Sequence, residues 1–149
     1  MPNTAVAVGE GVTMYCCTGN VTAAQREGFV SLLHCSGLLE ELDEGLMDAG
    51  SAVAGCGGAF ACLFLEALAD GGVYAGLPRA KARRYAAQML LGAARLALMS
   101  EDHTAALKDA VCSPGGTTIA GVQVLEEHGF RAAAMDAVIA AYERTKTLS

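Results

Sequence analysis

The stretch VCSPGGTTIAGV, Val111 to Val122, gathers the residue types best suited to chemistry. Ser113, Thr117 and Thr118 supply three hydroxyls within six positions, and Pro114 stops an incoming helix. Gly115 and Gly116 open backbone conformations that other residues resist and place no side chain in the way. Thr117 or Thr118 is then predicted to cap the outgoing helix. The first backbone N–H groups of a helix have no acceptor within it and sit at the positive end of its dipole. A small anion, a carboxylate or a phosphate, could reach those donors directly. No lysine or arginine of the P-loop kind stands beside them, which weakens the case for a nucleotide phosphate. An ordinary tight turn followed by an N-cap accounts for the same residues.

Other motifs carry less. GCGG at 55–58 fails as a dinucleotide fingerprint, because Phe60 stands where a third glycine belongs and a helix rather than a strand precedes it; it reads as a close-packed bend between two buried helices. The cysteines at 16, 17, 35, 56, 62 and 112 form no CxxC pair and no cluster with histidine, so no metal site is expected. They read as reduced core thiols of a cytoplasmic protein. Cys112 lies inside the opening stretch but has no histidine nearby to activate it. RAKARR, Arg79 to Arg84, reads as a solvated first helical turn.

The elements that must position these residues follow from punctuation and periodicity. GVTMYCC, Gly11 to Cys17, is rich in β-formers and ends at the turn signal TGN. Thr22 caps the next helix, with Gln25 as its capping-box partner, and Gly37 ends it. LLEEL, Leu38 to Leu42, is a second short strand. Residues 1–42 thus read as strand, helix, strand, and everything from Asp43 onward reads as helical. Helices are expected over Asp43 to about Ala54, Ala59 to about Ala75, Arg79 to about Met99, Thr104 to Val111, Thr118 to about His128 and Arg131 to about Thr147, with a bend at Gly55 to Gly58. Tyr85, Met89, Gly92 or Ala93, and Leu96 fall on one stripe. The second of these helices is nearly all apolar, so protein should surround it on most sides, part of it from another subunit.

Composition bounds the answer. The chain of 149 residues is 53% hydrophobic and 17% charged, too apolar for disorder. Its longest uncharged apolar run, Ala52 to Leu65, falls short of the roughly 20 residues a membrane span needs. A net charge of −6 argues against general affinity for nucleic acid or anionic membranes. Pro2 and Asn3 follow Met1 without a basic stretch, so no signal peptide is expected.

Taken together, MPNT at 1–4, VGEGVT at 8–13, LMDAGSAVAGCGGAF at 46–60, LEALADGGVYAGLPR at 65–79, AAQMLLGAA at 86–94 and LKDAVCSPGGTTIAGVQVLEEHGFRAA at 107–133 resemble the pyrroline-5-carboxylate reductases. The resemblance implies a mainly α chain. A helical dimerisation and substrate-binding domain over 43–149 would form an interlocked homodimer, and dimers of the family assemble further. Residues 1–42 would be the trailing strand-helix-strand of a dinucleotide-binding Rossmann sheet. In family order roughly a hundred residues with a glycine fingerprint precede MPNT, so NADPH or NADH is not expected to bind tightly to this chain alone. The implied activity is reduction of 1-pyrroline-5-carboxylate to proline. By position, Ser113, Gly115, Gly116, Thr117 and Thr118 would hold the substrate, the Thr118 hydroxyl would meet the ring nitrogen, and Glu101 would assist proton supply. Asn3 and Val111 would border the cofactor. The family's SGSGPAY stands here as AGCGGAF, 54–60. That departure favours an alternative, a non-catalytic helical dimerisation module or truncated remnant.

Overall fold

The structure, a computed structural model, describes residues 1–148. They pack as two compact units: Met1–Phe60 together with the stretch that begins at Met135, and Ala61–Ala134.

The first unit is organised around β1 (Gly11–Tyr15) and β2 (Gly37–Glu41), which pair in parallel with Gly11 opposite Gly37 and Tyr15 opposite Glu41. A parallel pair needs a crossover, and α1 (Ala23–Leu33) supplies it. Its start is fixed locally: Thr22 Oγ1 accepts the Gln25 N–H, and Gln25 Oε1 accepts the Thr22 N–H at 2.9 Å. Glycine is required at 37, where φ is +124° and a Cβ would collide with the backbone of Gly11. Thr13 and Met14 are buried, and the Tyr15 ring meets that of Phe29 edge-on at 5.1 Å. Ahead of the sheet, Thr4–Val8 forms a 3-10 helix.

After Asp43 the helical run passes through a 3-10 turn at Glu44–Leu46, α2 (Met47–Gly50), a π-helical turn at Ser51–Gly55 and α3 (Gly57–Tyr74). The bend expected at Gly55 to Gly58 is therefore a π turn inside a continuous helix. Its widened ladder absorbs the irregularity, as single π turns do within α-helices. Small residues let it sit close: a Cβ at Gly50 would strike the Met14 sulfur, and one at Gly55 would lie 3.3 Å from Ser51 Oγ. The run Glu44–Tyr74 spans 31 residues and is long and apolar enough to cross a membrane by length and composition. The sequence had suggested a shorter apolar run. The core helix of a water-soluble assembly meets the same criterion.

In the second unit α3 continues into the contact that defines its core. Ala69 packs with Ala82 and Ala86 of α4 (Arg79–Met99), flanked by Leu65, Leu68 and Val73. A Cβ at Gly72 would sit 3.3 Å from that of Ala82, so the missing side chain sets how near the two helices approach. Gly76, at φ +99°, and Pro78 end α3 and start α4, and Asp70 pairs with Arg79 across the corner. There follow α5 (Thr104–Ala110), α6 (Thr117–Glu127) and α7 (Phe130–Thr145), with the Phe130 ring 5.3 Å from that of Phe64.

Among the described residues the buried apolar set is small: Met14, Ala52, Ala69, Ala82 and Ala86. Leu63 is 69% exposed, Leu98 83% and Met99 84%. The stripe of α4 read from periodicity is exposed as well, with Tyr85, Met89 and Leu96 open to solvent. The cysteines are not core thiols. All six are free; Cys16, Cys17, Cys35 and Cys62 are exposed, and Cys56 and Cys112 are half-buried. Apolar character and tight helical spacing predict a buried face without saying which chain buries it.

Candidate functional site

The stretch singled out by its hydroxyls and glycines joins α5 to α6. His103 opens α5, its Nδ1 accepting the Ala105 N–H at 3.1 Å. The helix ends at Ala110, and the Cys112 N–H donates back to the Asp109 carbonyl at 3.0 Å. Ser113 to Gly116 then form a β-turn closed by the Gly116 N–H on the Ser113 carbonyl, 3.0 Å. Proline in its second place and glycine at positive φ (Gly115, +68°) in its third are the signature of a type II turn.

The two glycines serve different ends. Gly115 is required by its backbone angle. Gly116 is extended (φ −77°, ψ 169°), a conformation open to any residue, but a Cβ there would collide with Ser113 Oγ and lie 3.1 Å from the Ser113 carbonyl oxygen. The absent side chain is what lets the Ser113 hydroxyl lie against the start of α6.

Neither threonine caps that helix, contrary to the sequence reading. The cap residue is Gly116, which has no side chain to offer, and α6 starts without a side-chain cap. Thr117 and Thr118 occupy the first two helical positions, past the place from which a hydroxyl reaches back to the N–H groups. The first intrahelical bond runs from the Ala120 N–H to the Gly116 carbonyl at 3.4 Å. The N–H groups of Thr117, Thr118 and Ile119 therefore have no acceptor within the helix. They face solvent beside the exposed hydroxyls of Ser113, Thr117 and Thr118. Donors alone, at the positive end of a helix dipole, are arranged to receive a small anion.

Charged groups nearby do not fill that role. The Lys108 ammonium pairs with Asp109 at 2.6 Å, and that hydrogen bond holds its pKa above the usual lysine value. Glu101 lies exposed in the link between α4 and α5, in the second unit with Ser113 to Thr118, but no hydrogen bond joins it to them. Val111 ends α5 with its side chain 63% exposed.

Asn3 lies in the first unit and is occupied at both ends of its amide. Oδ1 accepts the N–H of Ala5 and of Val12, each at 3.2 Å, and Nδ2 donates to the Ala54 carbonyl at 3.0 Å. It caps the 3-10 helix and ties the π turn to the strand. An asparagine just before a helical TAVAV is a readable cap; the bond to Ala54, 51 positions away, leaves no local signal. Among the described residues no three His, Cys, Asp or Glu side chains come together to hold a metal ion.

A family model described as pyrroline-5-carboxylate reductase dimerisation matches residues 44–148. The pyrroline-5-carboxylate reductase of Synechocystis is 49% identical over 148 residues, which are 99% of this chain and 55% of that protein. Among solved structures, a pyrroline-5-carboxylate reductase from Coxiella burnetii superposes with a TM-score of 0.93 at 35% identity, covering 100% of this chain and 56% of the other. The Plasmodium falciparum pyrroline carboxylate reductase, solved with NADP bound, gives 0.90 at 37% identity over 99% of this chain and 60% of that one. The chain thus spans about half the length of the curated relatives it matches.

Proposed function

Since the chain belongs to the pyrroline-5-carboxylate reductase family, we propose that it is the dimerising, substrate-binding part of an NAD(P)H-linked oxidoreductase that forms L-proline from 1-pyrroline-5-carboxylate. The observation that carries this is the uncapped start of α6. The substrate is a cyclic imine bearing a carboxylate. The N–H groups of Thr117, Thr118 and Ile119, with the Ser113 hydroxyl, form a donor set for that carboxylate. Thr118 Oγ1, one turn-start away, meets the ring nitrogen. Protonating that nitrogen makes the C=N carbon a better hydride acceptor, and Glu101 is the acid proposed to assist.

The reaction calls for a nicotinamide dinucleotide, which supplies the hydride when bound. Asn3 and Val111 do not by themselves fit it: the Asn3 amide is engaged at both ends, and Val111 offers only an apolar edge. The part proposed for this chain is therefore the grip on the substrate, its orientation and the exclusion of water. Residues 1–42 are assigned to the dinucleotide-binding side and 43–149 to the helical side. The assembly is a cytoplasmic homodimer that buries the exposed apolar residues of α3 and α4, Leu63, Leu96, Leu98 and Met99 among them.

Calorimetric titration of the chain with L-proline tests the reading. Saturable binding is expected, reduced in both Ser113→Ala and Thr118→Ala. Absence of binding to a folded dimer would favour the second reading, a helical dimerisation module without a substrate site, which the altered AGCGGAF at 54–60 supports.

A further inference from the structure

A cavity of about 320 Å³ opens in the second unit between α5, α6 and the first turn of α7. Its volume lies at the lower end of the roughly 300–1,000 Å³ that small-molecule sites occupy. Val122, Leu125 and Phe130 give it an apolar floor, and His103, Lys108 and Arg131 stand on its rim. None of these residues belongs to the donor set assigned above, and the inference does not rest on that reading.

The rim offers donors far in excess of acceptors. Arg131 spends only Nε, on Glu126 at 2.6 Å, which leaves both terminal amino groups of the guanidinium uncommitted. Lys108 spends one of its three protons on Asp109. His103 accepts the Ala105 N–H through Nδ1, so the ring proton is carried on Nε2, a further donor. Thr104 adds a hydroxyl. The only carboxylate in the lining is Glu126, already paired. Each cation is paired with one carboxylate, Arg131 with Glu126 and Lys108 with Asp109, yet keeps N–H donors to spare over an apolar floor. Those donors complement a ligand with a flat apolar body and one carboxylate.

We propose that this cleft binds a small aromatic monocarboxylate. The ring lies on Leu125, Val122 and Phe130; the carboxylate meets the terminal amino groups of Arg131 and the ammonium of Lys108. The grip is bidentate at the guanidinium, the geometry a carboxylate prefers. Glu126 keeps Nε and holds the guanidinium plane in place.

Benzoate is the probe, titrated into the isotopically labelled full chain and followed by amide chemical shifts, with benzamide as a neutral control of the same shape. Saturable shifts are expected at His103, Leu125, Phe130 and Arg131, with about tenfold weaker binding for benzamide, for Lys108→Gln and for Arg131→Gln. Lys108→Gln keeps most of the length of a half-buried side chain on the rim and leaves the floor intact, so a fold defect does not confuse the result. Thr118→Ala should leave the benzoate titration unchanged, which separates this site from the proposed proline site. Equal shifts from benzoate and benzamide, or none at these amides, would overturn the proposal. So would protection of these amides by a second copy of the chain that benzoate does not relieve.

Discussion

Asn3 and Gly116 hold the same place, the residue before a helix, and use it in opposite ways. Asn3 spends every polar atom of its side chain on its own chain, two N–H groups on one end and a distant carbonyl on the other. Gly116 has no side chain, and the hydroxyl-bearing residues around it, Ser113, Thr117 and Thr118, are exposed. At the first site the polar chemistry is consumed in holding the π turn to the strand. At the second it is left over. Thr22 and His103, each capping its helix with a side-chain bond, resemble Asn3 rather than Gly116. α4 also starts without a side-chain cap, behind Pro78, so what sets α6 apart is the group of exposed residues Ser113, Thr117 and Thr118 beside its free backbone donors.

The contrast can be broken at its strongest point first. Asn3→Ala strands two N–H donors and one carbonyl in a half-buried setting and should cost about 3 kcal/mol, read from urea unfolding. A loss below about 1 kcal/mol would mean that water replaces the amide and that Asn3 is no brace. Gly116→Ala should act on both sides of the comparison. The new methyl displaces the Ser113 hydroxyl, costing about 1 kcal/mol in stability and about tenfold in proline affinity measured by calorimetry. Thr118→Ala sharpens the contrast, because that hydroxyl caps nothing. Stability should stay within about 0.5 kcal/mol of the parent while proline affinity falls about tenfold. A drop in melting temperature without a change in affinity would reverse the roles assigned here. Thr22→Ala is the matched control: removing the capping box should cost about 1 kcal/mol in unfolding experiments and leave proline affinity untouched.

Much of the scaffold was legible because its boundaries are written locally. TGNVTAAQ contains a turn signal, a cap and its reciprocal glutamine, and α1 starts where they say. Gly76 and Pro78 bracket the corner between α3 and α4 as the sequence indicates. Three features were not legible. The π turn replaces a bend because glycines permit either, and contacts with Met14 and Asn3 decide between them. The cap of α6 falls one residue early, since its position depends on whether the preceding turn uses one glycine or two. The cysteines were placed in a core from their residue type, but Cys16, Cys17 and Cys112 fall in links and Cys35 in a 3-10 turn, places that composition does not encode. At the site itself, the donors and hydroxyls of Ser113 to Thr118 could be read from VCSPGGTTIAGV; the close seat of Ser113 on Gly116 required coordinates.

The π turn at Ser51–Gly55 has one further consequence, for the phase of the helix that follows. An α-helix advances about 100° per residue, so one extra residue in a turn resets the azimuth of every side chain beyond it. The direction in which Leu63, Leu65 and Ala69 point is therefore dialled by five residues upstream of them, as a vernier sets a scale. Deleting a single residue there would leave the composition of α3 intact and its length unchanged, yet turn each of its side chains by about 100° around the helix axis.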